Sequence, residues 1–194
     1  MAMAIETPPT PRTRRFTTDE VLRMVDVGIL GADERVELIE GELLLVSPPS
    51  PEHAWVIDEL TRELSLRYGR EFTVRVQSPA LGLVESLPEP DVALRPSRGP
   101  WTAERRHPRF DESLLVVEVS VTTQRADRRK AALYARAGAP VYWIVDVERR
   151  CVIVHDGPRA GGSWRAVREL APGQMLELPG IDAPIAVAAI LPPA

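Results

Sequence analysis

The stretch that decides the fold is LLVVEVSVTTQRADRRKAALYARAGAPVYWIVDV, residues 114–147. Its first part, LLVVEVS, is a nearly continuous apolar run, the signature of a strand buried on both faces. Its last part, VYWIVDV, gives the same signal. Between them, from roughly Arg125 to Ala137, the chain has the composition of a helix, and Gly138 supplies its stop. A buried strand, a helix and a second buried strand predict a parallel pair joined by a right-handed crossover.

Outward from this unit the pattern becomes antiparallel. CVIVHD (151–156) follows VYWIVDV across the charged turn Glu148-Arg149-Arg150, as in a hairpin. SWRAVREL (163–170) and QMLELPG (174–180) read as further strands, and PIAVAAIL (184–191) as a short apolar segment. On the N-terminal side, FTVRVQS, ALGLVE and PDVAL predict three short strands. SPEHAWVIDELTRELSLRYG (50–69) is the clearest helix. Ser50 is its N-cap, Pro51 its first residue, and Val56, Ile57, Leu60 and Leu64 its buried stripe. Before it, RVELIEGELLLVSP (35–48) reads as two strands about a turn at Glu40-Gly41. A short helix is expected from Thr17 or Thr18 to Gly28, with Val21, Leu22 and Val25 inward. Residues 95–112 read as an Arg- and Pro-rich loop. The sum is an α/β (α+β) fold, a mixed sheet flanked by helices. Residues 1–15 read as a flexible Pro/Thr-rich arm and 16–194 as a single domain.

Composition narrows the function. One cysteine, Cys151, rules out an intrachain disulfide framework, and a reducing cytoplasm is the simplest home. That cysteine and three scattered histidines, His53, His107 and His155, argue against a zinc centre. No apolar stretch approaches a membrane span. The net charge of −4 is unlike a general nucleic-acid coat. Residues 95–136, however, hold ten Lys or Arg against five Asp or Glu, and that basic middle could focus a polyanion. Nucleophile-elbow, P-loop and dinucleotide motifs are absent from the sequence.

A few residues carry chemistry. Glu118 interrupts a buried strand, where an ionised carboxylate loses several kcal/mol of hydration unless a cation compensates. An exposed strand end or a structural ion pair would explain it equally well. Asp91 follows Pro90 at the start of a strand; it is either a turn residue or the second carboxylate of an oxygen site for a hard cation. Lys130 shares a helix face with Leu133 and Tyr134, so it either reaches inward or snorkels. Asp127, one turn earlier, could steady it. Glu37, in the strand VELI, and His53, at a helix start, are weaker candidates.

Taken together, PD at 90–91, VVEVS at 116–120, KAALYARAG at 130–138 and VYWIVD at 141–146 resemble the Uma-two family of restriction-endonuclease-like proteins, within the PD-(D/E)XK superfamily. ELIEGEL at 37–43 and SPPSPEH at 47–53 fit the same pattern, and the resemblance spans about residues 17–190. It implies a restriction-endonuclease-like core and Mg²⁺-dependent hydrolysis of phosphodiester bonds in nucleic acid, with DNA the expected substrate. Mn²⁺ would be a possible substitute. Asp91 and Glu118 would be the metal carboxylates, with the Val119 carbonyl a third ligand. Glu37 and His53 would be accessory. The superfamily's lysine usually stands two residues after the glutamate, but Ser120 is there in this chain. Related families take it from the following helix, which assigns the role to Lys130. The alternative is a catalytically inactive nuclease fold with a binding or regulatory role. A homodimer is compatible with duplex cutting, with PIAVAAIL either its interface or part of the core.

Overall fold

The computed structural model describes residues 13–31, 33–97, 106–121 and 124–193, and only the backbone of 124–128. Residues 1–12 of the arm expected over 1–15 therefore lie outside the described residues, as do 98–105 of the arginine-rich loop and the side chain of Asp127.

The predicted strand–helix–strand unit is the centre. Strand β5 (Leu115–Ser120) pairs in parallel with β6 (Val141–Asp146), and helix α3 (Gln124–Arg136) connects them. Gly138 follows α3 with φ +80°, the left-handed conformation that commonly ends a helix. Strands β4 (Val92–Pro96) and β3 (Phe72–Val76) extend one side of the sheet. Strands β7 (Cys151–Pro158) and β8 (Trp164–Leu170) extend the other, giving six strands in the order β3-β4-β5-β6-β7-β8. All pairings except β5–β6 are antiparallel. The fold is thus a mixed sheet with helices, as expected.

The period-2 alternation of β5 divides the core. Leu115, Val117 and Val119 face helix α2 (Pro51–Tyr68) and join its buried Val56, Leu60 and Leu64. Val116 faces α3 and packs with Leu133, Tyr134 and Tyr142. Ser50 caps α2 through its side chain, and Pro51 occupies the first turn, where it forfeits no helical hydrogen bond.

Helix α1 (Thr18–Asp26) and the hairpin of β1 (Val36–Ile39) and β2 (Glu42–Leu45) form a third cluster around Val21, Leu38 and Leu87. Thr17 and Glu20 complete a capping box at the start of α1. At the hairpin turn Glu40 has φ 49° and Gly41 φ 82°, the paired positive values of the tight turn whose twist suits a two-residue hairpin.

Two expectations are corrected. ALGLVE is not a strand; Leu81 and Leu83 make isolated bridges to Arg109 and Ser86. Its backbone groups go to scattered partners instead of one ladder: the Leu81 amide donates to Pro108, and the Val84 and Glu85 carbonyls accept from Thr18 and Gly41. Val25 is 51% exposed, so α1 buries a narrower face than its pattern suggests. The C-terminal apolar segment becomes β10 (Ile181–Ala186), paired with β9 (Met175–Leu178), and a 3-10 turn (Val187–Ile190). Ile185, Val187 and Ile190 are fully buried with α2, so the segment is part of the core, one of the two roles its sequence allowed. No helix among the described residues is long and apolar enough to cross a membrane.

Candidate active site

Strand register builds the site. β4 and β5 pair Val92 with Val117 and Ala93 with Val116, and one further step sets Asp91 opposite Glu118. Directly opposed residues hold their Cβ atoms about 4.5–5.5 Å apart, so two carboxylates distant in sequence become neighbours. Both are buried, Asp91 at 8% and Glu118 at 5% exposure.

Each carboxylate is anchored through one oxygen. Asp91 Oδ2 accepts from the Val119 amide at 2.8 Å and lies 3.1 Å from His53 Nε2. Because Asp91 accepts, Nε2 is the donor, and His53 Nδ1 is left buried without a partner. Glu118 Oε1 accepts from Tyr134 Oη at 2.5 Å and from Lys130 Nζ at 3.1 Å. Asp91 Oδ1 and Glu118 Oε2 have no hydrogen-bond partner among the described residues.

Lys130 and Tyr134 stand four apart on α3, hence on one face, and that face meets Glu118. Lys130 does not snorkel outward. Its ammonium lies 2.9 Å from Glu37 Oε2 and 3.1 Å from Glu118 Oε1, bridging β1 to β5. Glu37 Oε1 also accepts from the Glu89 amide at 3.2 Å. The network thus ties four separate segments to one cation.

Electrostatics follow from burial. Desolvation pushes the Glu118 carboxyl from 4.5 up to about 8, with Lys130 pulling it down and Asp91 and Glu37 adding to the rise. Burial would lower the Lys130 ammonium, but Glu118 and Glu37 outweigh it and hold the pKa above the ordinary lysine value. Desolvation, then Glu118, raises the Tyr134 hydroxyl well above its usual range, so it stays a donor. Glu89 is likewise raised by desolvation and by Glu37.

All five candidate side chains, Glu37, His53, Asp91, Glu118 and Lys130, line one cleft of about 520 Å³, and Val119 lines it too. Tyr134, Glu89, Gln77 and Arg35 had not been singled out as site residues. Tyr134 was foreseeable, being one helical turn from Lys130. Gln77 and Arg35 carry no local signal; only the fold brings them to the cleft. Four arginines of the basic middle are held in ion pairs. Arg106 pairs with Glu112, Arg109 with Asp111, and Arg129 and Arg136 both with Glu40.

The donors suit a hard cation in kind: two carboxylates, each with one oxygen left open, beside a backbone carbonyl at Val119. Among the described residues no three His, Cys, Asp or Glu side chains form a ready-made cluster. Water and substrate oxygens would have to complete the shell, as is usual for Mg²⁺.

A mixed sheet with paired carboxylates at adjacent strand ends and a lysine from the next helix has the layout of a restriction-endonuclease-like nuclease. The chain belongs to the Uma2 family, described as "putative restriction endonuclease", whose model matches residues 18–188. Its fold is similar to that of a "putative nuclease belonging to DUF820" from Anabaena variabilis ATCC 29413, with TM-score 0.69, 16% identity, and coverage of 90% of this chain and 97% of that one. A slighter likeness, with TM-score 0.38, 14% identity and coverage of 59% of this chain and 13% of that one, is to the type IIG restriction endonuclease BpuSI. No curated protein matches the chain.

Proposed function

We propose that this protein is a Mg²⁺-dependent endonuclease that hydrolyses phosphodiester bonds of DNA. The observation that carries this is the pair of opposed, buried carboxylates, Asp91 and Glu118, each with an open oxygen, beside a lysine clamped in the same cleft.

Asp91, Glu118 and the Val119 carbonyl would hold the ion, with Mn²⁺ a possible substitute. Bound there, the ion would polarise a scissile phosphate and supply an acidified water. The chain's own groups do the rest. His53 and the Val119 amide fix Asp91 in one orientation. Tyr134 fixes Glu118 through one oxygen and leaves the other outward. Glu37 holds Lys130, whose permanent charge faces the cleft and favours negative charge building on phosphate oxygens. In this arrangement His53 is a positioning residue and not a base, since Nε2 is committed to Asp91 and Nδ1 is buried.

The test is cleavage of plasmid and linear DNA with and without Mg²⁺. Metal-dependent cutting that is lost in both Asp91→Ala and Glu118→Ala supports the reading; cutting that survives either substitution sinks it. The second reading, an inactive nuclease fold that binds or regulates, is favoured by Ser120 in the usual lysine place. It expects nucleic-acid binding with no cleavage under any divalent metal.

A further inference from the structure

The cleft has two unlike walls. One is the polar floor of Asp91, Glu118 and Lys130. The other is formed by Leu44, Leu45, Val46, Pro48 and Pro49, at the end of β2 and the approach to α2. Leu45 is 85% exposed and Leu44 40%. A single exposed leucine needs no explanation. Five apolar residues in six positions along one wall form a patch, and such patches mark binding surfaces.

Among the described residues, no core cluster takes in Leu44 or Leu45. Strand β2 belongs to a two-stranded sheet and pairs with β1 alone. Its neighbour Leu43 packs inward with the third core cluster; Leu44 and Leu45 do not. Register also ties the wall to the chemistry. Leu44 is paired with Glu37, the carboxylate that holds Lys130, so the apolar wall begins beside the reactive centre.

We infer that this wall receives an unstacked base next to the scissile phosphate, so that the preferred substrate carries unpaired nucleotides at the cut. The inference rests on the nuclease reading above. Continuous duplex offers a cleft its charged sugar–phosphate rim, while the faces of its bases stay stacked on one another. An apolar wall is complementary to a base only when that base leaves the stack. Leucine and proline are residue types that wedge into base steps, and bases of single strands and bulges are the ones splayed onto protein surfaces. The cleft has the size of a small-ligand site, enough to accommodate a nucleotide. Arg35 lines the same cleft, where its charge acts on the Glu89 carboxyl, and with Lys130 it supplies positive charge for a flanking phosphate.

The experiment uses the full chain and one labelled oligonucleotide presented three ways: single strand, duplex with a central bulge, and continuous duplex. Affinity is read by anisotropy in Ca²⁺ and cleavage by gel in Mn²⁺, for wild type, Leu45→Ala and Leu44→Ala/Leu45→Ala. Leu45 is too exposed for its loss to threaten folding. The expected result is that single strand and bulge bind and are cut about tenfold better than continuous duplex, and that the double variant loses most of this preference, the apolar contact of a leucine side chain being worth about that factor. Equal handling of all three by wild type, or an unchanged preference in the double variant, overturns the inference and leaves the nuclease reading standing. Failure to bind or cut any of the three overturns both. A wild-type dimer that sediments as monomer after Leu45→Ala would show the wall to be a self-interface, and overturns the inference as well.

Discussion

The two faces of strand β5 do opposite work. On one, Leu115, Val117 and Val119 meet α2 in an unbroken apolar core. On the other, after Val116, stand Glu118 and Ser120, both buried, with Glu118 in a network of Lys130, Tyr134 and Glu37. Alternate residues of six consecutive positions thus supply the apolar core and the candidate site. The difference teaches where the site's energetic cost is met. A buried ion network contributes little net stability, because desolvation consumes most of its Coulombic gain. The face against α2 must hold the strand in place while the other face keeps a carboxylate where water would otherwise be preferred.

The comparison can be broken most sharply through activity. Asp91→Ala and Glu118→Ala are each expected to reduce metal-dependent cleavage by more than about 10³-fold, while thermal unfolding shows the fold retained. Lys130→Ala should lower kcat by about 10²–10³-fold, the scale of one preorganised charge, with a smaller change in KM. A raised KM with kcat unchanged would mean that Lys130 serves binding instead.

Substitution on the other face should do the reverse. Leu115→Ala is expected to cost about 2–5 kcal/mol in chemical denaturation, the range for a buried leucine, with Mn²⁺ affinity of the folded protein unchanged. A matching loss of metal affinity would show that the two faces are not separable.

The smallest effect concerns pH. Glu118 is raised from 4.5 to about 8 in the folded protein, mainly by desolvation. Between those values the folded state binds more protons than the unfolded one, so this group's stabilisation is complete below 4.5 and is lost as pH rises toward 8. The melting temperature of the metal-free protein should therefore fall across that window, and Glu118→Gln should flatten the slope. A slope identical in wild type and Glu118→Gln would contradict the buried, proton-holding glutamate.

Much of this was legible in the sequence because the signals were local. The apolar runs of β5 and β6, the Ser50-Pro51 cap and the Glu40-Gly41 turn each fix their element through nearest-neighbour chemistry. Glu118 declared itself by being charged within such a run. Asp91 was legible only as a residue type, since its pairing with Glu118 depends on strand register, which no local pattern encodes. Lys130's inward reach depended on Glu37, 93 positions away along the chain. Leu44 and Leu45 read as ordinary strand leucines, since sequence cannot show that β2 lacks an outer neighbour. The segment 80–85 misled because Leu81 and Leu83 alternate like a strand, while its backbone groups are taken by Pro108, Thr18 and Gly41 from three different parts of the chain.

The most direct test of the central claim is calorimetric titration of Mn²⁺ into the wild type and the Asp91→Ala/Glu118→Ala variant. Saturable binding to the wild type that disappears in the variant is the predicted result. Binding of equal strength to a folded double variant would place the metal elsewhere and contradict the account.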